Sequence, residues 1–510
     1  MNARVAARPD LRLTVLAALL LAACASGPDF HRPAPPGDSA YGPLALPEQM
    51  PLQPSAGQTV QRFVPGLPVE RQWWQVLGSP ELDALISQAI KANPDLEAAQ
   101  ASLRAAQETE LAQRGALLPS AQVSYAPSRQ KNPIGSLAPT LASGEPIFNL
   151  HTLQVSVGYV PDVFGGTRRS IEQAAALAEV QKELAEASYL TLVANVALAA
   201  IGSAGVNEQI SVTEKLIAVQ REQRELLSRQ HELGAIAEAD VLAQEAALAQ
   251  LEASLPALRQ QRDQQQHLLI ALSGATPAGA AVADFRLDGF VLPAQLPLVL
   301  PAQLVDRRPD VRAAEAQLHA ASAGLGVAAS NRLPQFNLSA SYGGTSTRPG
   351  DLFAAANTFW SLAGSVAQTV FDGGALRHRE RAADAALTAA AAQYRSTVLT
   401  AFRNVADTLS ALGHDADAVQ SGERAERAAA ESFGVAERTQ ALGASGSAPV
   451  LLAQQALLQS RLSLVQARAG RLADTVALFQ ALGGGGWATD GPNADRRATD
   501  PASGTTAPAP

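Results

Sequence analysis

Residues 167–232, TRRSIEQAAALAEVQKELAEASYLTLVANVALAAIGSAGVNEQISVTEKLIAVQREQRELLSRQHE, form a run of 66 residues without a proline. Most are Ala, Leu, Val, Glu, Gln or Arg, which are strong helix formers. At about 1.5 Å per residue the run predicts one helix on the order of 100 Å long. An ordinary globular domain has no use for such a length, so the chain has something long to span.

The same construction returns from Ala375 to Ala441, again proline-free and again entered through paired glycines, Gly165-Gly166 before the first run and Gly373-Gly374 before the second. Asn93-Pro94-Asp95-Leu96 recurs as Arg308-Pro309-Asp310-Val311, and Leu118-Pro119 as Leu333-Pro334, both at a spacing of 215. Val163-Phe164 recurs as Val370-Phe371, and Leu233-Gly234-Ala235 with Val241-Leu242 as Leu442-Gly443-Ala444 with Val450-Leu451. Four anchor points in the same order mark an internal duplication.

At the N-terminus, Arg4, Arg8 and Arg12 precede an apolar run from Leu13 to Ala22. It is too short to cross a bilayer but suits a secretory signal. The run ends in Leu21-Ala22-Ala23-Cys24, which looks like a lipoprotein box, and Cys24 is the only cysteine of the 510 residues. A lone cysteine has no intramolecular disulfide partner, so Cys24 is expected to carry a covalent lipid. Ala25 follows it rather than an inner-membrane-retaining aspartate, which points to the outer membrane. The formal net charge is −8 and becomes more negative once the basic signal is removed, so nucleic acid is not an expected partner. No later run of 18 or more apolar residues is evident, and a membrane crossing by the mature chain is expected to use strands.

The sequence divides into a signal peptide (1–23), a lipidated Pro-rich tether (24–70), a first repeat (71–274), a linker (275–300), a second repeat (301–487) and a tail (488–510) too poor in apolar residues to fold. Helices are expected at 95–117, 167–232 and 239–273, then at 310–332, 375–441 and 450–481. Each long helix turns back near a glycine, Gly234 or Gly443, the usual residue at a helix C-terminus. Val212, Leu216, Val219, Gln223, Leu226, Gln230 and Leu233 read as a coiled-coil seam with two polar interruptions. The returning seam is Leu248, Leu251, Leu255, Leu258, Leu268, Leu269 and Leu272, and Pro256 is expected to kink that helix.

Between helices the period changes to two. Strands are expected near 121–128, 152–160, 336–343 and 359–368, each about nine residues. One face carries Gln122, Ser124, Thr152, Gln154, Ser156, Asn337, Ser339, Ser341, Ser361 and Ser365; the other carries Val123, Tyr125, Leu153, Val155, Val157, Leu338, Tyr342, Trp360, Leu362 and Val366. Apolar-out with polar-in is the signature of a transmembrane barrel with a wet interior. Four strands do not close a barrel, and an open edge in lipid leaves backbone groups unpaired. Other copies must complete it, and the small inward residues favour three or more chains over two.

These residues resemble the TolC-like outer membrane factors, in particular the efflux-type outer membrane lipoproteins. The resemblance rests on Trp73-Trp74 with Pro80-Glu81-Leu82 and Leu85-Ile86, on Asn93-Pro94-Asp95-Leu96, on Arg307 to Glu315 (RRPDVRAAE) and on Ala481-Leu482-Gly483-Gly484-Gly485 with Trp487. It implies a mainly α fold with a β-barrel part: a homotrimer with a 12-stranded outer-membrane barrel and a periplasmic α-helical tunnel. It also implies a periplasmic adaptor and an inner-membrane pump of the RND type as partners, with export of small amphipathic compounds as the function. Adaptor docking would fall at the tips, Leu233, Gly234, Ala235, Leu442, Gly443 and Ala444. In several relatives an acidic residue after the apex glycine narrows the entrance. Here Asp240 stands six after Gly234, but the matching second-half positions are Pro449 and Leu452. The candidate gate is therefore Asp240 with an apolar constriction from Leu451 or Leu452, and Asp240 also reads as an N-cap of the returning helix.

No phosphate-binding loop, metalloprotease His-Glu pair or Gly-x-Ser-x-Gly elbow occurs, so no catalytic residue, metal or cofactor beyond the lipid is expected. Two alternatives stay open: an outer-membrane duct of a type I protein secretion system, and a lipid-anchored periplasmic coiled-coil scaffold without a pore. The alternating strands weigh against the scaffold.

Overall fold

The computed structural model describes residues 27–34, 61–131, 147–278, 282–299 and 301–485; Cys24, Trp487 and the expected tail lie outside them. In chain order the elements are β1 (Arg62–Pro65), α1 (Pro80–Ala92), α2 (Pro94–Gly115), β2 (Ser120–Lys131), β3 (Ile147–Tyr159), α3 (Gly166–Glu232), α4 (Glu238–Glu252), α5 (Leu255–Leu272), β4 (Gln295–Leu298), α6 (Pro301–Arg307), α7 (Pro309–Ser330), β5 (Gln335–Ser346), β6 (Thr358–Ala367), α8 (Ala375–Ala441) and α9 (Ser447–Ala481). The duplication is plain in the two long helices, α3 and α8, which are each 67 residues. The chain forms two compact units. One holds residues 102–181 and 314–394 with the described residues up to Pro33, and the other holds 182–313 and 395–485 with 61–101.

The first unit carries a four-stranded antiparallel sheet in the order β2-β3-β5-β6. The strands are 12, 13, 12 and 10 residues long, longer than the nine expected. The alternation continues into flanking residues such as Ser128, Arg129 and Gln130, which pair with Leu150, Asn149 and Phe148.

The second unit is built around the middle of α3. Val193, Ala194, Val196, Ala197, Ala200 and Ala204 are fully buried against Trp73, Trp74, Leu82, Ile86, Leu269, Val476 and Phe479. Trp73 stacks on Phe479 at 5.3 Å, and Trp74 Nε1 donates to Asp83 Oδ1 at 2.8 Å, so each buried indole has a packing or polar partner. α3 does contain a stretch apolar enough to cross a membrane, contrary to the sequence expectation, but 72% of it is buried inside the protein. That stretch is the core of this unit.

The residues that carry the family resemblance are joints of the same core. Asn93 Oδ1 accepts from the Asp95 and Leu96 N–H groups and caps α2, while its Nδ2 donates to the Leu272 carbonyl. Arg308 forks onto Asp310 and donates from Nη1 to the Ala481 carbonyl at 3.0 Å.

Four sequence expectations need correction. The helix expected over 239–273 is two helices, α4 and α5, because Pro256 lacks an N–H and its ring crowds the carbonyl four residues back; it sits instead in the first turn of α5. The returning helix of the second repeat begins at Ser447, not 450. The expected tether and linker are not wholly free of structure. β1 pairs in parallel with β4, and Phe63, Phe285, Phe290 and Leu296 are buried. The seam of α3 also drifts: Leu227 is 2% exposed and Leu226 is 55% exposed. A straight helix returns to one face after 11 residues, Leu216 to Leu227, whereas a 3.5-residue period demands supercoiling. In α5, likewise, Leu269 is buried and Leu268 is exposed.

Candidate functional site

The sheet places like with like across every strand. Ser124 faces Gln154 and Gln154 faces Gly343; Gln122 faces Ser156, Ser156 faces Ser341 and Ser341 faces Ser361. Thr152 and Thr345 share a hydrogen bond at 2.6 Å, and the Ser341 and Ser361 hydroxyls one at 2.8 Å. On the opposite face Val123, Val155, Tyr342 and Trp360 form one row across all four strands, and Val157, Ala340 and Leu362 form the next. Trp360 and Leu362 are each 76% exposed. A sheet with a continuous apolar face open to its surroundings and a hydroxyl- and amide-bearing face behind it fits lipid on one side and water on the other. Among the described residues, the outer edges of β2 and β6 have no strand partner.

The helical hairpins of the second unit end in matched turns. Gly234 has φ +74° and Gly443 φ +70°. The Ala235 N–H donates to the Gln230 carbonyl and the Gly234 N–H to that of His231; Ala444 and Gly443 repeat this with Thr439 and Gln440. This paired closure needs a left-handed residue, which glycine supplies without strain. It leaves Leu233 at 84% and Leu442 at 83% exposure, two solvent-facing leucines beside rigid turns.

The candidate gate residues are placed differently from the N-cap reading. Ala237 is the N-cap of α4, and Asp240 lies in the first turn. The Asp240 carboxylate accepts from Ser447 Oγ at 2.8 Å, which ties the start of α4 to the start of α9. Leu451 is half-buried, Leu452 is exposed and Val450 is buried. A polar cluster that the sequence reading missed joins the same hairpins. Gln454 Nε2 donates to Gln223 Oε1 at 2.5 Å, Gln223 to Gln440 at 3.2 Å, Gln220 to Gln454 at 3.4 Å, and Gln244 to the Gln220 carbonyl at 3.3 Å. Gln454 is fully buried and Gln244 nearly so. The signal was Gln223, a polar residue in a leucine seam.

Two further groups lie outside the sequence reading. Arg471 of α9, 1% exposed, donates from Nε to Gln61 Oε1 at 3.0 Å. Burial, together with the neighbouring Asp474 carboxyl, pushes Asp415 of α8 up to about 7. Near the N-terminus, Asp29, Phe30 and Arg32 contact α3 and α7, although the sequence reads as a free tether there. Among the described residues no group of three or more His, Cys, Asp or Glu side chains forms a metal site.

The outer membrane efflux protein family matches residues 85–275 and 300–484. The chain is 30% identical over 482 residues to the pyoverdine export outer membrane protein OpmQ of Pseudomonas aeruginosa, covering 93% of this chain and 97% of that protein. It is 28% identical over 476 residues to the toluene efflux pump outer membrane protein TtgC of Pseudomonas putida, covering 92% and 94%. The outer-membrane channel OprN superimposes with a TM-score of 0.80 at 27% identity, covering 90% of this chain and 99% of that one. With the two-faced sheet and the paired long hairpins already in hand, the chain belongs to the outer membrane efflux protein family and is an outer-membrane channel of an efflux system.

Proposed function

We propose that three copies of this chain assemble into one duct that receives small amphipathic compounds from an adaptor and an inner-membrane pump, of the RND type, and passes them outward without an energy source of its own. The observation that carries this reading is the sheet, with aligned polar rows on one face, aligned apolar rows on the other and two unpaired edges. Because the order β2-β3-β5-β6 is antiparallel throughout, β6 of one copy meets β2 of the next in antiparallel sense, and the ring closes head to tail. Each unpaired backbone group in hydrocarbon costs several kcal/mol. Two copies would give eight strands, a size filled by its own side chains. Three give 12 and leave room for water inside serine-, threonine- and glutamine-bearing walls.

Docking falls to the tips, where Leu233-Gly234-Ala235 and Leu442-Gly443-Ala444 offer exposed leucines on turns held by two hydrogen bonds each. The Asp240–Ser447 bond and the glutamine cluster hold the hairpins of one chain together and serve as the latch of the closed entrance. The exposed Leu452, with Leu451 beside it, supplies the apolar constriction. Cys24 carries the lipid anchor. The substrate class draws support from the relatives, one named for pyoverdine export and one for toluene efflux.

The test is export in cells stripped of their own outer-membrane efflux channels, supplied with this chain and a matching adaptor and pump. Restored efflux of an amphipathic fluorescent dye is expected. Dye retention despite correct membrane insertion would sink the proposal.

A further inference from the structure

Residues 27–32 are strapped along α7. Arg32 Nε pairs with Glu315 Oε1 at 2.9 Å. The Phe30 ring stacks on His319, with centroids 4.3 Å apart and planes 14° apart. Gly27, at φ +85°, lies so close to α7 that an added Cβ would stand 2.5 Å from Gly326 Cα. Glu315, His319 and Gly326 share one face of the helix, at helical spacings of four and seven. The strap therefore descends in number, 32 to 27, as the helix ascends from 315 to 326. Five extended residues cover about 17 Å and eleven helical ones about 17 Å, so the two run side by side without slack.

A second set of contacts locks the strap from α3. Asp29 Oδ1 meets Arg169 Nη2 at 2.6 Å, and the other arm of Arg169 holds Glu172 Oε2 at 2.7 Å. Glu172 Oε1 in turn lies 2.8 Å from Nε2 of His319, the ring under Phe30. The contacts close a circuit: Asp29, Arg169, Glu172, His319, Phe30. Arg169 is 8% exposed, so its two carboxylate partners compensate a nearly buried charge. Burial works against the Glu172 carboxylate, but hydrogen bonds from Arg169 and His319 bring its pKa below the ordinary value.

Beyond Gly326, α7 has four residues left before Ser330, about 6 Å, and β5 then begins at Gln335. Cys24 lies three residues upstream of Gly27, within about 10 Å along the chain, and the strap is heading toward that same end of α7. We propose that the Asp29–Phe30–Arg32 strap is a guide for the lipid anchor, delivering the acyl chains on Cys24 into the bilayer beside the first residues of β5. This rests on the reading of Cys24 as the acylated residue. The ligand of the guide is the chain's own acylated N-terminus, and the leash becomes a fixed mount.

The experiment feeds cells a palmitate bearing a diazirine, isolates the membrane-inserted protein, irradiates it and maps the peptides joined to residue 24. The guide predicts crosslinks within about residues 331–340. They should be lost in Asp29→Ala with Phe30→Ala, which opens the circuit, and separately in Gly27→Val, which cannot approach Gly326. Neither change touches the core of either unit, and equal melting curves would document that. Crosslinks that persist in both variants, or that never fall on this segment although the label is incorporated, would overturn the guide while leaving the lipid in place. Absence of label from Cys24 in the unaltered protein would remove the anchor itself, and with it the guide.

Discussion

Asp240 and Ser447 come from different repeats, 207 positions apart, and meet through one hydrogen bond of 2.8 Å. A bond between a charged and a neutral group contributes about 1.5–3 kcal/mol when shielded and less where water competes. Gln223, Gln440 and Gln454 add neutral bonds of about 1 kcal/mol each, so the hairpins are held by a few kcal/mol, firm enough to rest closed and weak enough for a docking partner to open. Asp240→Ala combined with Gln454→Leu should leave the melting temperature within a few degrees and raise uptake of a large antibiotic normally excluded by the closed tip. Unchanged uptake would remove these residues from the latch. Asp415 gives a pH prediction. Its pKa is raised by burial and by Asp474, to about 7 against an unfolded value of 3.8. The folded state binds the extra proton, so this contribution to stability is full below about pH 4 and is lost as pH rises through about 7. Asp415→Asn should therefore stabilise the protein at pH 8, by about 1 kcal/mol given the group's partial exposure, and should change little at pH 4. A variant stabilised equally at both pH values would contradict the assignment.

At the scale of elements, the long helices were legible because nothing in residues 167–232 or 375–441 breaks them, and the strands because polar and apolar side chains alternate on a two-residue period. Pairing then turned that alternation into rows. What stayed hidden depends on contacts distant in sequence. β1 and β4 are four-residue strands with prolines in or beside them, and proline composition reads as tether whether or not a partner strand waits 233 positions away, as Gln295 does for Arg62. The strap at Asp29–Arg32 was missed for the same reason. Leu227 was missed because the heptad spacing assumed supercoiling that α3 does not follow over that stretch. Pro256 was expected to strain a continuous helix by about 3 kcal/mol; since it opens α5, where proline fits, Pro256→Ala should change stability by less than about 1 kcal/mol. A gain near 3 kcal/mol would show that the strain is real. On the sheet, Leu362→Arg should cost about 2–4 kcal/mol if that position lies near the bilayer midplane, whereas Ser341→Lys on the polar face should be tolerated and should lower cation conductance. Equal tolerance of both would mean that the faces do not separate lipid from water.

For the whole molecule, the central claim is that this chain is one third of a closed-tip, water-filled duct. The sheet's unpaired edges demand further copies, its two faces demand lipid outside and water inside, and the latch demands that the entrance rest shut. The measurement that tests all three is single-channel conductance of the purified protein in a planar bilayer, with its mass in detergent determined on the same preparation. The predicted result is a mass of three chains and a small flickering conductance that becomes large and steady in Asp240→Ala with Gln454→Leu. A one-chain mass with no conductance in either protein would contradict the account and leave a membrane-attached helical scaffold in its place.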